Sequence, residues 1–230
     1  MKIQDKVIII TGASGGIGLA LAHELSKRGG KVVLAARSKE KIDELSKAIS
    51  GSIAIQTDVT KQEDIKNLIA ETEAKFGRVD VLVNNAGRGL YAAVEKVDIK
   101  EYKNIMELNV FSVFNAMQEV IPLMRKQGGG FIMNISSMVS KNYYPSLGAY
   151  ASTKYALNAL SLTSRTELAK DNIIVSVFHP KMTDTDFGKN ALRSEATPVI
   201  ASIGMDIDTA ELVAEKIADQ IESEVAEVMM

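Results

Sequence analysis

Tyr150 and Lys154 stand four residues apart, and Ser137 lies thirteen before the tyrosine. On a helix, residues i and i+4 share a face, so the ammonium and the phenol would lie together. A phenol ordinarily loses its proton near ~10, and an adjacent cation stabilises the phenolate. The pair therefore has the makings of a proton donor and acceptor, its phenol pKa drawn down toward neutral pH. A lone Tyr-x-x-x-Lys is in most cases an ordinary stretch of helix surface, and its surroundings set this one apart. Gly130 to Ile135 reads as a short buried strand running into Ser136 and Ser137. In an open parallel α/β sheet, ligands bind beyond the carboxyl ends of the strands. Consecutive strand residues face opposite ways, so one of the two serines reaches the cleft, and Ser137 is the candidate.

The elements that must position these residues are legible as short apolar runs alternating with helix-period stretches, the mark of β-α units and a parallel sheet. Strands are expected at Val7 to Thr11, Lys31 to Ala36, Ser52 to Thr57, Val79 to Val83, Gly130 to Ile135 and Ile173 to Phe178, with a seventh at Ala226 to Met230. Helices are expected near Gly16 to Arg28, Lys39 to Ile49, Lys61 to Phe76, Asp98 to Gln127, Leu147 to Lys170 and Thr209 to Ser223. The fourth carries a wide apolar stripe that includes Ile105, Val110, Val113, Met117, Val120 and Met124, with Phe111 and Phe114 spreading it further round. Such a helix is buried on more than one side, in the core or against a second subunit. Between Lys181 and Asp208 the periodicity fails, and a loop of that length inside a compact domain suggests a substrate lid.

With 230 residues, 46% of them apolar and 24% charged, the chain fits one domain spanning 1–230 with a sizeable core. Its net charge of −2 is mixed along the chain, which favours neither a nucleic-acid stripe nor a membrane-surface helix. Cysteine is absent, which removes disulfides and thiolate metal sites and suits a reducing cytoplasm. The two histidines, His23 and His179, are too far apart for a His-x-x-x-His metal pair, and His23 is expected on the exposed face of the first helix. Met1 to Lys6 lacks a signal-peptide pattern, and the run Val7 to Ile10 is too short to span a bilayer.

At the first turn, Val7 to Thr11 runs as a buried strand into Gly12-Ala13-Ser14-Gly15-Gly16-Ile17-Gly18 and then into a helix. Gly12 permits the tight turn, Gly16 lets backbone approach a pyrophosphate and Gly18 lets helix pack on sheet, with the anion on the helix N-terminus. The residue ending the second strand reads the adenosine ribose: an acid there bonds the 2′-hydroxyl of NAD, whereas an arginine nearby accommodates the 2′-phosphate of NADP. Here Ala36 stands where the acid would lie and Arg37 follows, which favours NADP(H) over NAD(H).

These residues resemble the short-chain dehydrogenase/reductase family, in its single-domain branch, over nearly the whole chain. The family's Thr-Gly-x-x-x-Gly-x-Gly appears as Thr11 to Gly18, its Asn-Asn-Ala-Gly as Asn84 to Gly87, and its catalytic tetrad as Asn109, Ser137, Tyr150 and Lys154. The resemblance implies a Rossmann-type fold, a doubly wound parallel sheet of about seven strands with helices on both faces. It also implies that Tyr150 exchanges a proton with the substrate oxygen, Ser137 places that oxygen, Lys154 lowers the Tyr150 pKa and holds the nicotinamide ribose, and Asn109 holds a water leading to solvent. By the same resemblance Gly12, Ser14, Gly16, Ile17, Gly18, Arg37, Asp58, Val59, Asn85, Ala86, Gly87, Tyr150, Lys154, Pro180, Thr183 and Thr185 contact the dinucleotide. Asp58-Val59 alone reads equally as a strand end leading into a helix cap.

One position departs from the family. After His179-Pro180, where a glycine is usual, stands Lys181, which would be strained if the loop required a positive φ there. The loop is therefore expected to take another path. Ser137, Met138, Tyr144, Tyr150 and Phe187, with Arg88, Leu90, Tyr91 and Tyr143 beside them, are the expected substrate wall, mainly apolar and aromatic. The expectation is a metal-free NADP(H)-dependent oxidoreductase that interconverts a carbonyl and a secondary alcohol. The alternatives are a catalytically silent NADP-binding regulator and an epimerase or dehydratase on the same fold. Apolar surface on the fourth and fifth helices further predicts a homo-oligomer, a tetramer first and a dimer second, with no nucleic-acid or membrane partner.

Overall fold

The computed structural model describes residues 1–193 and 206–230. Seven parallel strands form the main sheet: β1 (Val7–Thr11), β2 (Lys31–Ala36), β3 (Ser52–Gln56), β4 (Val81–Asn84), β6 (Gly130–Ile135), β7 (Ile173–His179) and β11 (Glu227–Met229). Their order is β11-β7-β6-β4-β1-β2-β3, so the chain winds outward one way from β1 and then crosses to β4 and winds the other way. Short two-stranded ladders join β5 (Leu90–Tyr91) to β9 (Leu192–Arg193) and β8 (Thr183–Asp184) to β10 (Asp208–Thr209).

Strand residues alternate between two apolar layers, as the pleat requires. Ile8, Ile10, Val32, Leu34, Val81 and Val83 pack with α1 (Gly16–Lys27), α2 (Lys39–Ala48) and α7 (Ala210–Ser223). Ile9, Val33, Leu82 and Ile132 face the opposite layer, formed by α3 (Gln62–Phe76), α5 (Ser112–Lys126) and α6 (Gly148–Leu168). The central strands are apolar on both faces because both are covered. Local chemistry sets the ends: Asp98 Oδ1 accepts from the amides of Lys100 and Glu101 to start α4 (Ile99–Met106), and Gly77, at φ 77°, closes α3 with its N–H on the Glu73 carbonyl.

The expected single helix from Asp98 to Gln127 is interrupted. Residues Glu107–Phe111 form a π turn between α4 and α5. The extra residue explains the step of five from buried Ile105 to buried Val110, after which the stripe resumes at Val113 and Met117. π turns concentrate at functional sites, and Asn109 lies in this one.

Within the expected irregular stretch from Lys181 to Asp208, the described residues include two short ladders. Leu192 pairs with Leu90, Arg193 with Tyr91, and Thr183 with Asp208. Pro198 and Gly204 lie outside the described residues. Among those described, no helix is long and apolar enough to cross a membrane.

Candidate active site

The glycine turn is built on β1 and clasped by β4. Gly12 has φ +68°, and a Cβ there would come within 2.9 Å of the Ala86 Cα, so the turn requires both the left-handed backbone and the missing side chain. The Thr11 hydroxyl accepts from the amides of Asn85 (3.0 Å) and Ala86 (3.1 Å), and the Asn85 side-chain amide donates to the Thr11 carbonyl at 2.9 Å. Ala13 N–H donates to Ala35 O, which ties the turn to β2 as well. Helix α1 then begins after Gly15 with no side-chain cap and no acidic residue in its first turn. Its leading amides therefore have no side-chain acceptor, the donor set that an anionic phosphate needs. The residues present fit a dinucleotide.

At the far end of this groove Ala36 is buried and Arg37 exposed at the tip of β2. Asp58 sits beyond β3, where one carboxylate oxygen accepts from Thr60 N–H and from the Thr60 hydroxyl, while Arg37 and Lys61 help hold its pKa below the usual range. The carboxylate thus serves a local turn, and Val59 after it is buried. The Lys41 ammonium, which sequence reasoning passed over, comes within 4.0 Å of where a Cβ on Gly15 would stand. Its signal was present: it lies four residues after Arg37, in the first turn of α2.

Tyr150 and Lys154 share one face of α6 and are both buried, each about 6% exposed. The Lys154 Nζ donates to Ile135 O at 2.9 Å and sits 5.9 Å from the centroid of the Tyr150 ring. Ser137, in extended conformation past the end of β6, turns its hydroxyl to the Tyr150 phenol and also accepts from Val139 N–H. Ser136 faces the other way, fully buried, with its hydroxyl donating to Asn158 Oδ1 at 2.6 Å.

The expectation of a phenol lowered by Lys154 is corrected here. Burial, and secondarily the neighbouring Tyr91, push the Tyr150 pKa well above its ordinary value; the Ser137 hydrogen bond opposes this only in part. Burial also lowers Lys154, from 10.5 to about 8. The same desolvation that keeps the phenol neutral weakens the charge meant to ionise it.

Asn109 is committed to protein partners. Its Oδ1 accepts from Arg88 N–H at 3.0 Å, and its amide donates to Arg88 O at 2.9 Å and to the Thr153 hydroxyl at 3.1 Å. This pins the chain just after Gly87, whose missing Cβ would stand 3.2 Å from Asn109 Oδ1 and 3.8 Å from Lys154 Nζ. Gly87 is thus the opening between the two polar groups.

The Phe187 ring lies 5.9 Å from that of Tyr150, tilted by 51°, and closes the cleft from the loop side. Thr185 packs over Gly16, its methyl 3.2 Å from where a Cβ would be, and accepts from Phe187 N–H. Thr183 precedes it, its hydroxyl on Lys181 O. Lys181 is not among the residues with positive φ, so the loop has taken the path a lysine tolerates. Pro180 is buried, and its carbonyl accepts from Met138 N–H at 3.1 Å. Tyr144 is half-buried in the turn leading into α6. Tyr91, close enough to raise the Tyr150 pKa, carries the Arg193 guanidinium 5.2 Å above its ring.

A family model described as short chain dehydrogenase matches residues 6–196. An uncharacterized oxidoreductase of Methylorubrum extorquens is 40% identical over 184 residues, 78% of this chain and 73% of that protein. One from Staphylococcus saprophyticus is 35% identical over 189 residues, 80% and 77% of the two chains. Among solved structures, a short-chain dehydrogenase from Streptomyces avermitilis superimposes with a TM-score of 0.89 at 34% identity, covering 98% of this chain and 88% of that one. An alcohol dehydrogenase from Thermococcus sibiricus, complexed with 5-hydroxy-NADP, gives 0.87 at 27% identity over 99% and 96%. A 3-ketoacyl-(acyl-carrier-protein) reductase from Brucella melitensis, complexed with NADH, gives 0.89 at 27% over 99% and 98%. The chain belongs to the short-chain dehydrogenase family and is an NAD(P)-dependent oxidoreductase.

Proposed function

We propose that the protein interconverts a carbonyl and a secondary alcohol with NADP(H), using Tyr150, Ser137, Lys154 and Asn109. The observation that carries this is the meeting of a serine hydroxyl, a phenol and an ammonium in one buried cleft next to an uncapped helix N-terminus. The bound dinucleotide supplies or takes up the hydride. Tyr150, kept protonated by burial, gives its proton to the carbonyl oxygen in reduction and takes it back in oxidation. Ser137 donates to the same oxygen and orients it. Lys154, one N–H on Ile135 O, has the others for the nicotinamide ribose and for water at Gly87. Asn109 keeps the Gly87-Arg88 backbone in place and offers its remaining Oδ1 lone pair to that water.

NADP(H) is preferred on the strength of Ala36, Arg37 and Lys41, two cations and no acid around the 2′ position. Gly12, Ser14, Gly16, Ile17, Gly18, Asp58, Val59, Asn85, Ala86, Gly87, Pro180, Thr183 and Thr185 complete the dinucleotide site. Phe187, Met138 and Tyr144 bound an apolar substrate space, and the 181–208 segment acts as its lid. The chain works as one domain, in a cytoplasmic setting, as a homo-oligomer.

A panel of carbonyl compounds monitored by NADPH absorbance tests the reading. Tyr150→Phe keeps the ring and its packing, so stability changes little while turnover falls about 10²- to 10⁴-fold and NADPH still binds. Wild-type turnover in this variant would end the proposal.

A further inference from the structure

His179, at the end of β7, has no part in the reaction as read above, yet its side chain is fully buried within reach of Ser137. Its Nε2 lies 2.8 Å from Glu227 Oε1, which also receives the Lys141 ammonium at 2.8 Å. Its Nδ1 lies 3.1 Å from the Ser140 hydroxyl and 3.3 Å from the Ser137 carbonyl oxygen. Ser140, itself buried, donates its hydroxyl to that carbonyl at 2.6 Å, and Ser140 N–H donates to it at 3.0 Å. Two donors from Ser140 thus converge on the carbonyl of the one serine whose hydroxyl meets the Tyr150 phenol, with the His179 ring set against both residues.

We propose that His179 and Ser140 are positioning residues that hold Ser137 in register with Tyr150, with Glu227 and Lys141 fixing the imidazole. The proposal rests on the reading of Ser137 as the residue that orients the substrate oxygen. The proton count supports it. The Lys141 hydrogen bond holds Glu227 ionised, so the 2.8 Å contact requires the imidazole hydrogen on Nε2. That leaves Nδ1 an acceptor for the Ser140 hydroxyl, whose hydrogen lies between it and the Ser137 carbonyl, and fixes the ring plane and Ser140 together. Burial makes the arrangement stiff, because a polar atom that leaves its partner here finds no water in exchange. The Ser137 carbonyl is thereby fixed on one side. On the other, Ser136 is held by its N–H on Phe178 O and its hydroxyl on Asn158. Ser137 has little freedom left except at its side chain, which is what placing a reacting oxygen demands.

Comparing Ser140→Ala on two backgrounds separates positioning from mere packing. In the wild-type chain the substitution lowers kcat about tenfold, below the ~10²-fold cost of an ångström of misplacement, and leaves the KM for NADPH unchanged. On a Ser137→Ala background it lowers kcat no further, because the group it positions is gone. Equal losses on both backgrounds, or none in the wild type, would overturn the proposal. Wild-type kcat in Ser137→Ala alone would instead overturn the reading of Ser137 on which it rests. An independent check uses His23→Asn, which changes an exposed residue and leaves His179 as the one imidazole. Its nitrogen NMR shifts are expected to give a protonated Nε2 in the folded chain. A bare Nε2 would contradict the Glu227 contact and with it the fixed ring.

Discussion

Tyr150 and Lys154 illustrate how burial, more than proximity, sets protonation. Their spacing announced a shared helix face, and α6 delivers it. The sign of the tyrosine shift was not legible, because desolvation depends on what covers α6: Phe187 from the loop and Tyr91 from β5. The lysine carries a testable consequence for the unliganded chain. Its folded pKa of about 8 lies below the ordinary 10.5, so between those values the unfolded chain binds more protons and stability rises with pH. Below pH 8 the full cost of the buried charge is present; it is relieved as pH climbs. Tyr150, raised in the fold, begins to act in the opposite sense above about pH 10. Urea unfolding at pH 8 and pH 10 is therefore expected to give wild-type chain a gain on the order of 2 to 3 kcal/mol relative to Lys154→Met. Parallel pH dependence in the two proteins would contradict this. Asn109 was legible as a site residue, but its partners, the Arg88 backbone and Thr153, were not, since the π turn and β4 bring them together from distant parts of the chain.

At the scale of elements, the seven main strands and every helix but the divided fourth were readable, because each face of a covered parallel sheet enforces its own apolar period. Ile8 and Ile10 address one layer and Ile9 the other. What escaped was the break in phase at Ile105 to Val110, since a five-residue step looks like noise until a π turn explains it. The short ladders β5 with β9 and β8 with β10 escaped as well; two-residue strands have no period to detect. The glycine turn supplies the element-scale prediction. Gly12→Ala meets both a φ of +68° and the Ala86 backbone at 2.9 Å. It is expected to cost about 1–3 kcal/mol of stability and to weaken NADPH binding tenfold or more, ~1.4 kcal/mol. Gly77→Ala has a similar φ of +77° with nothing within 4 Å, so it carries only the strain of about 1 kcal/mol. Titration of NADPH against both variants checks the contrast; equal affinity loss would remove the special role of the Gly12 turn.

Over the whole molecule, the apolar surface of α5 and α6 is only partly used. Phe111 in the π turn, Phe114 on α5 and Tyr155 on α6 remain exposed after both layers have packed. A helix apolar beyond its core-facing stripe is the pattern of a subunit interface, and we expect sedimentation at micromolar concentration to give a tetramer or a dimer. Phe111→Glu with Phe114→Glu should shift the protein toward folded monomer. A wild-type chain sedimenting as monomer would remove the expectation.

Hydride transfer between NADP(H) and a carbonyl carbon, with protonation by Tyr150, is open to one direct measurement. The protein is incubated with NADPH deuterated at the transferable C4 position, prepared as each epimer in turn, and a panel of carbonyl compounds. Deuterium in the alcohol product is then read by mass spectrometry. One deuterium is expected at the carbinol carbon from one epimer and none from the other, with one NADPH consumed per alcohol formed and near loss of both signals in Tyr150→Phe. Product formed without label or without NADPH consumption would assign the site to epimerisation or dehydration. Bound NADPH that is never consumed by any member of the panel would assign it to a silent nucleotide-binding role, and either result would contradict the account.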